Sequence, residues 1–404
     1  MLKKIGMTLL SLIVMSGCTT SSIKNLSQST GSLKLAQSAQ LDPLLIKGIN
    51  DLAFKLQDKN PSENEFMSAL SIYLALAMTS HGTANSSYDQ FMDLLNPSDL
   101  DQTEWLSQLR DLQGNLNASS PIKIALSNSL WIRNDFAKQV KADFLKRNET
   151  YFGAMIATLD FDLPSAVDDI NAWVKKNTNN LIEKTLDQIN PSTIMFLINT
   201  IYFKGDWVNQ FDKNKTFDST FYGITEKNVK FMNQIDSFLY NETADHQSIL
   251  LPYEGNKVGM LIVMGKEGQV VINSSESFKA ELEALKNARI TLRLPKVDIA
   301  TKRILNEDLI KLGLSDPFDS AKADFSNLAD ADLFISQVLH KAKLLIDEEG
   351  TEAAAVTSVS VDTTSIEITD YEMNVDHPFQ VFIVDLEQNL ILFSGYLNDV
   401  QASE

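Results

Sequence analysis

The chain has 404 residues, 44% of them hydrophobic, and a formal net charge of −18. So acidic a protein repels phosphate backbones, which excludes nucleic acid as a partner. Its only cysteine is Cys18, which excludes an intrachain disulfide and a cysteine-ligated metal site.

Lys3 and Lys4 precede the apolar run Ile5 to Met15, which is too short for a stable membrane span. The run ends in Ser16-Gly17-Cys18, which resembles the lipobox of bacterial lipoproteins, with Met15 where leucine is usual. An ordinary secretory signal with an incidental cysteine is the alternative. Residues 1–18 are read as a lipoprotein signal and Cys18 as the lipidated residue, the only attachment to a membrane. The residue after Cys18 is Thr19 rather than the Asp that retains such proteins in the inner membrane. That points to the outer membrane or cell surface, and otherwise to a periplasmic or secreted protein. Residues 19–40 are rich in Ser, Thr, Gln and Lys and read as a flexible tether. No Pro/Gly/Ser-rich linker divides residues 41–400, so residues 41–404 are expected to form one packed domain, and a monomer.

Helical spacing of apolar residues starts the domain at Leu41 to Gln57. Asn64 to Met78 is apolar nearly all round and predicts a buried helix. Two short surface helices are expected at Ser87 to Leu95 and Asp101 to Leu112. A strand at Ile122 to Arg133, a helix at Ala137 to Arg147, a strand at Phe152 to Leu159 and a helix at Ala166 to Leu181 follow. Phe196 to Trp207 is almost continuously apolar, the mark of a strand buried on both faces. Asn199 interrupts it, and a buried Asn needs partners. Strands are expected at Val229 to Gln234, Val258 to Met264 and Ile290 to Pro295. Ile304 to Leu312 reads as a helix stopped by Gly313. Leu333 to Asp347, Phe379 to Asp385 and Leu390 to Tyr396 read as strands.

The segment Glu348 to Thr363 lacks the residues that fix turns. With the alternation of a strand, Thr351, Ala353, Ala355, Thr357, Val359, Val361 and Thr363 share one face. Glu352, Ala354, Val356, Ser358, Ser360 and Asp362 share the other. The first face carries no charge and nothing larger than Val, so it suits a buried central strand. Thr351 to Ala355 also suits the start of a helix and a linker, and periodicity leaves both readings open. The run Asp347 to Ala355, followed by His377-Pro378-Phe379, resembles the reactive-loop hinge of the serpins, the serine protease inhibitor family. Ser68 and Ser71, Phe196 to Trp207, and Ile290 to Lys296 carry further resemblance, over about residues 41–400. Ala69 stands where the family usually has proline.

The resemblance implies an α+β serpin fold: a large mixed central β-sheet, two smaller sheets, about eight or nine helices and an exposed reactive-centre loop. It implies a hinge at Glu348, Glu349, Gly350, Thr351, Glu352, Ala353, Ala354 and Ala355. It implies a polar cluster of Ser68, Ser71, Asn199 and His340 beneath the sheet, and Trp207 near the point of loop entry. Lys296 becomes a candidate ion-pair partner for Glu348. Cleavage is expected between Thr364 and Ser365, with Ile366 and Glu367 as alternatives, because spacing from Glu348 and from Pro378 disagree. Small and β-branched residues there suit elastase-like or subtilisin-like serine proteases.

Catalytic patterns are missing. There is no Gly-x-Ser-x-Gly elbow or His-Glu-x-x-His, and His81, His246, His340 and His377 lack metal-ligand spacing. No catalytic residue, metal or cofactor is expected. His340, inside an apolar strand, reads as a hydrogen-bonded structural group.

Overall fold

The computed structural model describes residues 23–26, 41–58, 61–117, 121–180, 182–351 and 368–400. Among these are eight α-helices: α1 (Pro43–Leu56), α2 (Ala69–Ser80), α3 (Asn85–Leu95), α4 (Gln102–Asn117), α5 (Ala142–Tyr151), α6 (Ala166–Asn177), α7 (Ser275–Ala284) and α8 (Asn306–Lys311).

Seven strands make the large sheet: β1 (Lys24–Asn25), β2 (Lys123–Arg133), β3 (Met155–Leu159), β4 (Met195–Asp206), β5 (Val297–Ile304), β6 (Gln337–Ile346) and β7 (Gly350–Thr351). Their order is β1-β3-β2-β4-β7-β6-β5, and β4 also pairs directly with β6. The sheet is mixed: β2 runs parallel to β3 and antiparallel to β4, and β4 runs parallel to β6. The smaller sheets join into one nine-stranded arrangement, which includes the long strand Glu226–Glu242 and the closing strands Phe379–Asp385 and Leu390–Leu397.

Side-chain alternation divides the large sheet into two apolar faces. Leu197, Ile201 and Phe203 of β4 and Ala342, Leu344 and Ile346 of β6 enter the main core with α2. Phe196 and Ile198 of β4 and Leu339 of β6 face the other way, beneath Ala166, Ile170 and Val174 of α6. Every residue of α2 is buried, as its unbroken apolarity requires.

Several boundaries differ from the sequence reading. Glu65–Met67 is a strand, paired with Ser394 to Tyr396, and α2 starts only after Ser68. The Ser68 side chain accepts the Ser71 N–H at 3.1 Å, a cap that fixes the helix start. The helix read at Ala137 starts at Ala142, because Val140 bridges to Ala329. Val297–Ile304 is a full strand on the edge of the large sheet, so Ile304 ends β5 and α8 starts two residues later. Part of the stretch read as tether is a strand: Lys24 and Asn25 pair with Thr158 and Ala157.

Candidate functional site

The site has two parts, both along the seam between β4 and β6. Asn199 and His340 oppose one another where these strands pair directly, from Phe196–Gln337 to Thr200–Lys341. His340 Nδ1 lies 2.8 Å from Asn199 Oδ1, and His340 Nε2 accepts the Ser68 N–H at 3.1 Å. The backbone donor at Nε2 fixes a neutral ring with its proton on Nδ1. Asn199 Nδ2 donates to the Ser71 carbonyl at 2.7 Å, and also reaches Ser71 Oγ and Asn128 Oδ1. The cluster thus ties β2, β4 and β6 to the start of α2. Burial, aided by the Arg303 charge, pushes the His340 pKa down to about 3.

The upper part is the hinge. Gly350 pairs with Asp206, and Thr351 sits between Gly205 of β4 and Ile346 of β6, antiparallel to both. The Glu349 carbonyl accepts the Trp207 N–H and the Glu348 carbonyl accepts the Phe211 N–H, each at 2.8 Å. The Trp207 indole donates to the Asp347 carbonyl at 3.0 Å and stacks on Tyr253 at 4.6 Å. The Tyr253 hydroxyl meets Thr351 Oγ1 at 2.6 Å.

Lys296 donates to Glu348 at 2.8 Å, and Thr216 donates to the other oxygen at 2.7 Å. Burial raises the Glu348 carboxyl, but these hydrogen bonds outweigh it and hold the group below its ordinary value. Lys296 is 40% exposed, so solvent limits this pair to about 1 kcal/mol. Lys213 pairs with Glu349. Asp347 Oδ1 accepts the N–H groups of Glu349 and Gly350, a local turn that aims the chain into the sheet. A Cβ on Gly350 would stand 2.1 Å from the Gly205 carbonyl oxygen, so only glycine fits there.

Ser68, Ser71, Asn199 and His340 therefore come together below, and Trp207 and Lys296 join Glu348 to Thr351 above. Glu352, Ala353, Ala354, Ala355, Thr364, Ser365, Ile366, Glu367 and Cys18 lie outside the described residues. Asn128, Tyr253, Thr216 and Lys213 were not anticipated. Asn128, set between Ser127 and Ser129, carried a weaker signal than Asn199 does in its apolar run. The other three carried none.

The family model described as Serpin (serine protease inhibitor) matches residues 49–400. This chain is a serpin. An uncharacterized serpin-like protein of Methanosarcina acetivorans is 31% identical over 351 residues, 82% of this chain and 81% of its own. Leukocyte elastase inhibitor of Equus caballus is 32% identical, over 85% of this serpin and 95% of that protein. The native-state structure of tengpin, a thermophilic serpin, superposes with a TM-score of 0.85 at 30% identity, covering 94% of this chain and all of that one. Human thyroxine-binding globulin, in complex with thyroxine, gives 0.81 at 28% identity, covering 89% of this chain and 99% of that one. Proteins of this family are mostly protease inhibitors rather than enzymes.

Asn199→Leu would strand His340 Nδ1–H and remove a partner from Asn128. A loss of about 1–3 kcal/mol is expected for each buried group left unpaired, read as a lower urea midpoint of the native form. The His340 ring should show no protonation by NMR from pH 7 down to about pH 4. An unfolded histidine takes its proton near pH 6.5, so this site costs stability only as the pH falls below that value. Gly350→Ala should expel the hinge, speeding amide exchange at Trp207 at least about tenfold.

Proposed function

We propose that this serpin is a suicide-substrate inhibitor of serine proteases, anchored by a lipid on Cys18, with elastase-like or subtilisin-like targets. The observation that carries this reading is the pairing of Thr351 between Gly205 and Ile346. Gly205 and Ile346 stand in the same relative register as the directly paired Asn199 and His340 lower down. A strand continuing from Thr351 can therefore separate β4 and β6 without shifting either along its axis.

Along that register each further residue descends one rung. Thr357 would enter between Asn199 and His340, and Val361 would face Met195, the end of β4. An arm released by cleavage after Thr364 is long enough to fill this slot. The uncharged face beginning with Thr351 would join Phe203, Ile201, Leu344 and Ala342 in the core, leaving Glu352 and Asp362 on the other face.

In the reaction, the protease serine attacks the Thr364 carbonyl, and the Ser365 nitrogen takes a proton and leaves as a new amino terminus. Insertion of the arm then carries the acylated protease away before water cleaves the ester. Serpin loop insertion is a recognised case of strand addition with release of stored strain. Ten or so new strand residues at roughly 0.5–1.5 kcal/mol per hydrogen bond contribute on the order of 10 kcal/mol. That rivals the stability of a whole domain, so the uncut form is held kinetically.

The likeness to leukocyte elastase inhibitor supports the choice of target. The likeness to thyroxine-binding globulin favours a second reading, a non-inhibitory binding module. Incubation with elastase or subtilisin separates the two. A band at the summed mass on a denaturing gel is expected; cleavage alone would favour the binding module. Thr351→Arg puts a charge against Tyr253 and should yield cut serpin with the covalent band reduced at least about tenfold.

A further inference from the structure

The edge of the large sheet carries a contact that the hinge mechanism does not use. Lys24 pairs with Thr158 and Asn25 with Ala157, and the Leu26 N–H donates to the Ile156 carbonyl at 2.8 Å. Thr158 Oγ1 reaches the Lys24 carbonyl at 3.5 Å. Ile23 packs on the apolar cluster between α6 and the sheet. The segment covers a strand edge that would otherwise present unpaired backbone groups.

Its level along the sheet follows from the registers. Lys24 opposes Thr158, Thr158 opposes Ile132, and Ile132 opposes Met195. Thr351 enters beside Gly205, at the other end of β4. At about 3.3 Å per residue, Lys24 lies roughly 33 Å along the strands from the point of loop entry. β1 runs antiparallel to β3, so the chain reaches Lys24 from the loop-distal side. From Cys18 to Lys24 the chain spans at most about 22 Å. With Ile23–Leu26 docked, that reach falls short of the point of loop entry by about 11 Å. Measured instead from Leu41, the same cysteine has a contour of about 80 Å and could reach either end.

We propose that Ile23–Leu26 is an orienting clamp, which holds the N-terminal attachment point at the end of the molecule opposite the reactive loop. The occupant of that end is the lipid surface that carries the anchor. A membrane-attached molecule then offers its loop outward. This consequence rests on the anchor and trapping readings above: the inserted arm ends beside Met195, so the acylated protease is delivered to the membrane-facing end.

The clamp itself is testable without lipid or protease. Cys18 is the only cysteine, so one nitroxide label goes there in the full chain, kept unlipidated in detergent. A second is placed on Ser192→Cys, close before β4, or on Glu254→Cys, whose N–H bonds the Asp206 carbonyl at the loop end. Pulsed electron-spin distances should be short and narrow from Cys18 to position 192, and longer to position 254. Leu26→Pro removes the donor to Ile156 and should at least about double both widths, as expected of a flexible chain. Equal distances to the two positions, or widths unchanged by Leu26→Pro, would overturn the clamp. Membrane fractionation of the wild type against Cys18→Ser tests the anchor separately.

Discussion

Strands β4 and β6 are directly bonded below and separated above by Gly350 and Thr351, yet one register serves both regions. That condition is the one the proposed insertion would use. A parallel pair carries no intrinsic reason to part, but here the top of the seam is already occupied by a strand running the other way. The chain enters there because Asp347 turns it, Trp207 and Phe211 bond its carbonyls, and Gly350 lets it approach Gly205 closely.

The lower half resists opening through polar contacts rather than bulk. Asn199 and His340 bind each other across the seam, and both bind the start of α2. Each group is satisfied, so the closed state gains from bonds that strengthen in a dry interior. An incoming strand must break the Asn199–His340 contact and offer something polar in exchange. Under the proposed insertion, the register would bring Thr357, which carries a hydroxyl, to that rung. α6 lies over the other face of the sheet and packs on β4 and β6, so strand separation must also work against that contact.

How much was legible depended on whether the signal was local. The apolar runs at α2 and β4 announced burial. Asn199 stood out because a polar group inside such a run must find partners. The hinge was ambiguous by periodicity, since Thr-Glu-Ala-Ala-Ala suits a helix as well as a strand; only the resemblance resolved it. Glu65–Met67 was misread because three residues cannot announce a period, and what pairs them is a strand more than 300 residues away in the chain. The edge strand at Lys24 was hidden for the same reason: its sequence is polar, and its partner lies on β3.

By itself the sequence determined the elements that bury a continuous face, the acidity of the surface, and the small uncharged face of the hinge arm. These depend on residue type and spacing along one segment. Only the tertiary structure decided that Thr351 lies between Gly205 and Ile346, that Tyr253 and Lys213 meet the hinge, and that residues 23–26 close the sheet edge. Those are pairings between distant segments. Their register is set by strand alignment and close packing across the whole domain, which no single stretch of chain encodes.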